Sequence, residues 1–365
     1  MKKIISRIAL VLAGICLTLN AIAQSSENPR RIWVVAHACN CHKWLQTALE
    51  DGASGVEIDV NCAYNINPTA SSVDFSVYHG HAGGYCSPEY RARQNRGIKD
   101  PLKYYVSLEE YLKFDEMNKI NILWLDAKCE EPGQVYHLVR EVHRVLLIRY
   151  GSKEEVPFSI IYGFYKMRTL RGNIGNYSLA YPSTPLIDWL RDNLWENEGI
   201  NLACEGPCGP CKTSETLEQL KDFFNEHNFP KGKHFASQGS GGPNYLCLTQ
   251  NMINTLIKLK EWRNQGKYCV RTGAWSLSTD LYGRFMVPNK RDYPSSWETE
   301  CDLVLMEAQN DFKLPSIFPA DYDHYALQKF VRRFMRPGGQ YSYYSEYNRG
   351  HYVLAGNRWE DPFYE

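Results

Sequence analysis

Apolar, β-rich runs alternate with helical stretches between residues 32 and 306, and this alternation constrains the fold more than any other feature of the chain. The candidate strands are residues 32–36, 55–60, 73–78, 122–125, 158–162, 201–203, 234–237, 269–275 and 303–306. Helical periods occupy 43–50, 107–117, 133–149, 213–225, 252–264 and 324–334. Ser107 followed by Glu110 opens the second of these with a capping-box spacing. Strand–helix alternation of this kind predicts an α/β protein with a parallel sheet. The nine runs become eight parallel strands once residues 61–72 are considered, which are rich in Asn, Ser, Thr and Pro and lack a helical period. A parallel crossover needs a helix, whereas an antiparallel return needs only a turn. Residues 73–78 are therefore predicted to be the return arm of a hairpin that extends the second strand. Eight parallel strands fit a (β/α)8 TIM barrel. The alternative is an open doubly wound sheet, but no Gly-x-Gly-x-x-Gly turn follows an early strand.

The first 23 residues read as an export leader. Lys2, Lys3 and Arg7 precede an apolar stretch over residues 8–19, and Ala21-Ile22-Ala23 offers a small-x-small cleavage site. Residues 24–365 are then expected to form a single secreted domain with a C-terminal tail and no transmembrane segment, because no apolar run reaches spanning length. A net charge of zero removes any bulk field for nucleic acid. Of the 12 cysteines, Cys16 lies in the leader, and most of the others are expected to form disulfides after export. Cys204, Cys208 and Cys211 lack a second ligand pair at zinc spacing, so they too fit disulfides better than a metal. The chain also carries 25 tyrosines, several in the tail segment Tyr-Ser-Tyr-Tyr-Ser-Glu-Tyr. These suit either an interfacial lipid contact or packing on the domain.

Chemistry gathers where the strands end. The first strand delivers His37, the second places Glu57 and Asp59 two apart, the hairpin return ends at His79, and the strand at 122–125 runs into Asp126 and Lys128. Positions i and i+2 on a strand share a face, and barrel strands converge at their carboxyl ends. Three carboxylates in one bowl require a cation. Oxygen-only ligands favour one Mg2+ ion ahead of Ca2+. Histidines beside such an ion can take and give protons near neutral pH. Together with Lys128 this is equipment for cleaving a phosphodiester.

Ala-His-Ala-Cys-Asn, Val-Glu-Ile-Asp-Val, Tyr-His-Gly and Leu-Asp-Ala-Lys resemble, in order and spacing, the sphingomyelinase D / phospholipase D toxins of recluse-spider venoms. Their relatives occur in ticks, bacteria and fungi, and all belong to the glycerophosphodiester phosphodiesterase barrel superfamily. The resemblance implies that His37 and His79 are the acid–base pair and that Glu57, Asp59 and Asp126 are Mg2+ ligands. It implies that Lys128 contacts the substrate phosphate, that Trp275 lines the pocket, and that Cys86 pairs with Cys247. Asn40, three residues after His37, matches the toxins where the diesterases usually carry His-Arg-Gly, and it is assigned to the substrate side. The tail echoes the family at Ala355 and Glu360-Asp361-Pro362, with Phe363 in place of a tryptophan. The activity so implied is Mg2+-dependent release of choline or ethanolamine from a sphingolipid or lysophospholipid, by intramolecular transphosphatidylation to a cyclic phosphate. A monomer working at a membrane or micelle surface is expected. Two alternatives remain at this stage: a glycerophosphodiester phosphodiesterase of soluble diesters, and a non-catalytic secreted binding protein on the same barrel.

Overall fold

The computed structural model describes residues 30–37, 39–50, 52–62, 75–77, 106–129, 131–164, 167–176, 182–205, 217–239, 250–267, 271–277, 303–306 and 352–354. The leader and the helix expected at 324–334 lie outside these residues. The described strands are β1 (Arg30–Ala36), β2 (Gly55–Cys62), β3 (Phe75–Val77), β4 (Val106–Ser107), β5 (Ile122–Ala127), β6 (Ser159–Phe164), β7 (Glu198–Glu205), β8 (His234–Gly239), β9 (Arg271–Leu277), β10 (Leu303–Met306) and β11 (Tyr352–Leu354). They form one sheet in the order β11-β1-β10-β9-β8-β7-β6-β5-β2-β3-β4. Every pairing from β11 and β1 round to β2 is parallel. β1 also pairs with β2, through Val35 with Gly55 and Ala36 with Val56. The fold is thus mixed α/β with a mostly parallel sheet, consistent with a TIM-barrel-like arrangement.

The predicted hairpin is present: β3 lies antiparallel to β2, with Val77 opposite Val60 and Phe75 opposite Cys62. β4 and β11 were not expected, being only two and three residues long. The described helices are α1 (His42–Glu50), α2 (Leu108–Tyr111), α3 (Pro132–Tyr150), α4 (Met167–Arg171), α5 (Leu186–Asn193), α6 (Leu217–Glu226) and α7 (Gln250–Asn264). Among the described residues no helix is long and apolar enough to cross a membrane.

α3 shows how the sequence writes an element. Glu131 and Gln134 form a reciprocal capping box, and Pro132 occupies the first turn, where its missing N–H costs nothing. Val135, Leu138, Val139, Val142, Val145 and Leu146 recur at helical spacing and are buried. Each such side chain contributes roughly 1.5–3 kcal/mol when fully buried. Gly151, at φ 84°, ends the helix by returning its N–H to the Leu147 carbonyl at 2.9 Å. Proline at Val139 would remove an internal bond and clash with the preceding turn, at about 3 kcal/mol or more. The helix expected over 107–117 instead stops at Tyr111, and a 3-10 turn follows over Asp115–Lys119. Arg149 of α3 donates to the carbonyls of Leu112 at 2.7 Å and Phe114 at 2.8 Å, where the helix breaks. Half of the capping box expected at Ser107 is seen: its hydroxyl accepts the Glu110 N–H at 3.1 Å.

The strands divide their residues by parity. Val34, Ala36, Val56, Ile58, Leu123, Leu125, Ile160 and Tyr162 belong to the large core beneath the helices. Trp33, Val35, Ile122, Trp124, Ile161 and Phe235 form a second cluster on the other face. Trp33 and Trp124 both meet Phe235, at ring centroid separations of 6.4 and 6.2 Å. Because side chains alternate, His37 continues the face of Trp33 and Val35, and Asp126 continues that of Ile122 and Trp124. Gly163 lies beside Asp126 in the ladder, where a Cβ would come within 2.5 Å of the Trp124 indole nitrogen. Glycine is what lets the indole lie there.

Candidate active site

β2 and β5 run side by side with Glu57 opposite Trp124 and Asp59 opposite Asp126. That register brings three acids to one place near the carboxyl ends of the strands. Glu57, Asp59 and Asp126 are all buried, and a carboxylate oxygen from each lies within 4.8 Å of the others. His37, at the end of β1, approaches them: its Nε2 is 3.7 Å from Glu57 Oε2, and the ring remains 16% exposed. Lys128, two residues beyond Asp126, places its ammonium 2.9 Å from Asp59 Oδ1 and hydrogen-bonded to Asp126 Oδ2. The Lys128 N–H donates to the Val60 carbonyl at 2.9 Å, which carries the β2–β5 ladder one step further and fixes the start of this side chain.

Electrostatics follow from crowding. Burial pushes the Glu57 carboxyl up to about 8, the Asp59 charge adds to the effect, and His37 opposes it. Oxygen-only donors at this spacing suit a hard divalent cation rather than zinc. The donor set therefore fits a hard divalent cation, the class to which the expected Mg2+ belongs, and Glu57, Asp59 and Asp126 are the residues that would hold it.

Around these groups the turn after β1 is tightly fastened. Cys39 N–H donates to the Glu57 carbonyl at 2.9 Å, and the Cys39 carbonyl accepts the Tyr111 hydroxyl at 2.7 Å. Asn40 bonds to Asp59 at both the main chain and the carboxylate. Cys39 and Cys41 are buried thiols and so stand apart from the disulfides expected of most of the cysteines after export. Burial first, and then the charge of Glu57, raises the Cys39 thiol well above its ordinary value, which disfavours the thiolate. Cys129, by contrast, is in a disulfide. No motif in the sequence marks Tyr111. Its only signal is an aromatic at the end of a capped helical turn, which says that it is buried but not what its hydroxyl meets.

The structure thus brings together His37, Asn40, Glu57, Asp59, Asp126 and Lys128. Trp275 lies on β9 opposite Gly239, with its side chain outside the described residues. His79, Cys86 and Cys247 also lie outside them.

No family model matches the chain, and no curated protein matches it. Among solved structures it is similar to one described as a "putative glycerophosphodiester phosphodiesterase" from Galdieria sulphuraria, at 14% identity and a TM-score of 0.45, over 84% of this chain and 99% of that one. The functional reading rests on the side chains themselves.

Proposed function

We propose that this chain is a divalent-cation-dependent phosphodiesterase of the sphingomyelinase D type, releasing choline or ethanolamine from sphingolipids or lysophospholipids. The observation that carries this reading is the convergence of Glu57, Asp59 and Asp126 with His37 and Lys128 at the carboxyl ends of neighbouring strands. Three buried acids repel one another, and Lys128 offsets only part of that charge. A bound Mg2+ would supply positive charge to a phosphate oxygen as the transition state forms. His37, partly exposed at the rim, takes the proton from the attacking hydroxyl of the lipid. That oxygen forms its bond to phosphorus while the bond from phosphorus to the headgroup oxygen breaks. The departing oxygen receives a proton from a second acid, for which His79 is the sequence candidate. Lys128 donates to the phosphate, and Trp275 lines the pocket. The organic product is a cyclic phosphate.

The same reading treats residues 24–365 as one (β/α)8 domain. Its support is β1, which pairs with β10 and also with β2, at the two ends of the parallel series. Export after cleavage near Ala23 belongs to the proposal through the composition of the leader, and action as a monomer at a lipid surface belongs to it through the resemblance alone. Mass spectrometry of the mature amino terminus tests the cleavage.

Phosphorus NMR of products from sphingomyelin, lysophosphatidylcholine and glycerophosphocholine tests the chemistry. A cyclic phosphate from either of the first two is the expected outcome. Linear phosphate from glycerophosphocholine alone would replace this reading with a soluble-diester phosphodiesterase. Lack of turnover of all three with Mg2+ present would remove the enzymatic reading.

A further inference from the structure

Asn40 stands in the turn after β1, and its amide meets a single residue twice. Its Oδ1 accepts the Asp59 backbone N–H at 2.8 Å, and its Nδ2 donates to Asp59 Oδ2 at 2.7 Å. Asn40 is 5% exposed, so little of it faces solvent or an incoming ligand. The turn that carries it is pinned from two sides, by Cys39 N–H to the Glu57 carbonyl and by the Tyr111 hydroxyl to the Cys39 carbonyl.

We propose that Asn40 is a positioning residue for cation binding that acts through Asp59. The inference rests on the metal reading of Glu57, Asp59 and Asp126 given above. A carboxylate has a broad, soft final torsion, and two neighbouring acids push Asp59 to turn away from them. The amide N–H of Asn40, bonded to a charged oxygen, opposes that rotation by holding Oδ2. Oδ1 is left on the cluster side, where the Lys128 ammonium lies 2.9 Å away. The second bond, at the Asp59 main chain, fixes the origin from which that carboxylate extends. Such outer partners typically account for 10–100-fold in metal affinity. The role also explains why an asparagine is suited to this position: it offers a donor and an acceptor on one rigid plane.

The test is a calorimetric titration of Mn2+ into the metal-stripped full chain, for wild type and Asn40→Ala, followed by lysophosphatidylcholine kinetics at saturating Mn2+. The expected result is a Kd for Mn2+ weaker by about 10–100-fold in Asn40→Ala, with KM for the lipid unchanged once the metal is saturating. An unchanged Kd for Mn2+ overturns the proposal, and so does a raised KM at saturating metal, which would make Asn40 a substrate contact. Near-UV circular dichroism checks the fold. If Asn40→Ala does not fold, Asn40→Gln, which keeps both polar groups one methylene out of place, is read by the same criteria. Wild type that takes up neither Mn2+ nor Mg2+ overturns the metal reading and this inference together. Wild type and Asn40→Ala binding Mn2+ equally tightly overturns this inference alone.

Discussion

Two buried glutamates, one at each end of the parallel strands, each have a histidine as neighbour, and they behave in opposite ways. Glu198 begins β7. It accepts His143 Nε2 at 2.8 and 2.9 Å, the Tyr162 hydroxyl at 2.8 Å and the Trp195 N–H at 2.6 Å. His143 is itself stacked on Trp195 at 4.0 Å. Glu57, on β2, instead shares its space with Asp59 and Asp126, and its histidine stands 3.7 Å away. The first carboxylate is surrounded by donors and ties three elements together. The second is surrounded by like charge, so burial and repulsion hold it up to about 8. A Glu–His pair is therefore not a functional sign by itself; the charge of the remaining neighbours decides what it is for.

That contrast can be broken by experiment. The largest effect is expected from His37→Ala, which should lower turnover by on the order of 10³-fold while thermal unfolding stays close to wild type. A choline-release assay alongside a melt checks it, and wild-type activity would strike His37 from the acid–base role. Next, Glu198→Ala should cost about 3 kcal/mol or more of stability, since it strands the buried groups that converge on it, yet leave turnover per folded molecule within a few fold. Urea denaturation with activity normalised to the folded fraction measures both, and a selective loss of activity would make the two ends alike.

A third test uses pH on the metal-stripped protein. The Glu57 carboxyl is raised from 4.5 in the unfolded chain to about 8 in the folded one, so between those values the folded state holds more protons. Stability should accordingly fall as pH rises from about 4.5 to about 8. Glu57→Gln, which carries no charge to bury, should flatten the fall. Melting temperature against pH in the presence of chelator gives the answer, and an unchanged slope in Glu57→Gln would move the effect elsewhere. The smallest effect is expected from Tyr111→Phe, which leaves the Cys39 carbonyl without that donor: about 1 kcal/mol of stability, with turnover changed a few fold at most. Equilibrium unfolding and initial rates check it together.

Much of this arrangement is legible along the chain. Period-two alternation places His37 with Trp33 and Val35, and Glu57 with Asp59, and the polar sequence after β2, which lacks a helical period, announces the hairpin to β3. What is not legible depends on register and on contacts far apart in sequence. That Asp59 faces Asp126 is a property of strand pairing, not of either strand alone. Asn40 stands out in its motif, but its partner, 19 residues away, appears only once β1 and β2 are joined. The break after Tyr111 has a similar origin: the carbonyls of Leu112 and Phe114 are taken up by Arg149, 37 and 35 residues further on. Local helical period carries no word of such a guanidinium. β4 and β11 are too short for alternation to register at all.

Gly163 carries a consequence for anyone mapping this protein by mutation. It bears no reactive atom, yet it faces Asp126 across the ladder and leaves room for the Trp124 indole. A side chain there would drive the indole out of its place, and Trp124 lies directly opposite Glu57. In a saturation library scored by turnover, position 163 should therefore look as intolerant as the acids themselves. A tolerance map of this protein is expected to draw the candidate site one strand wider than the acids that define it.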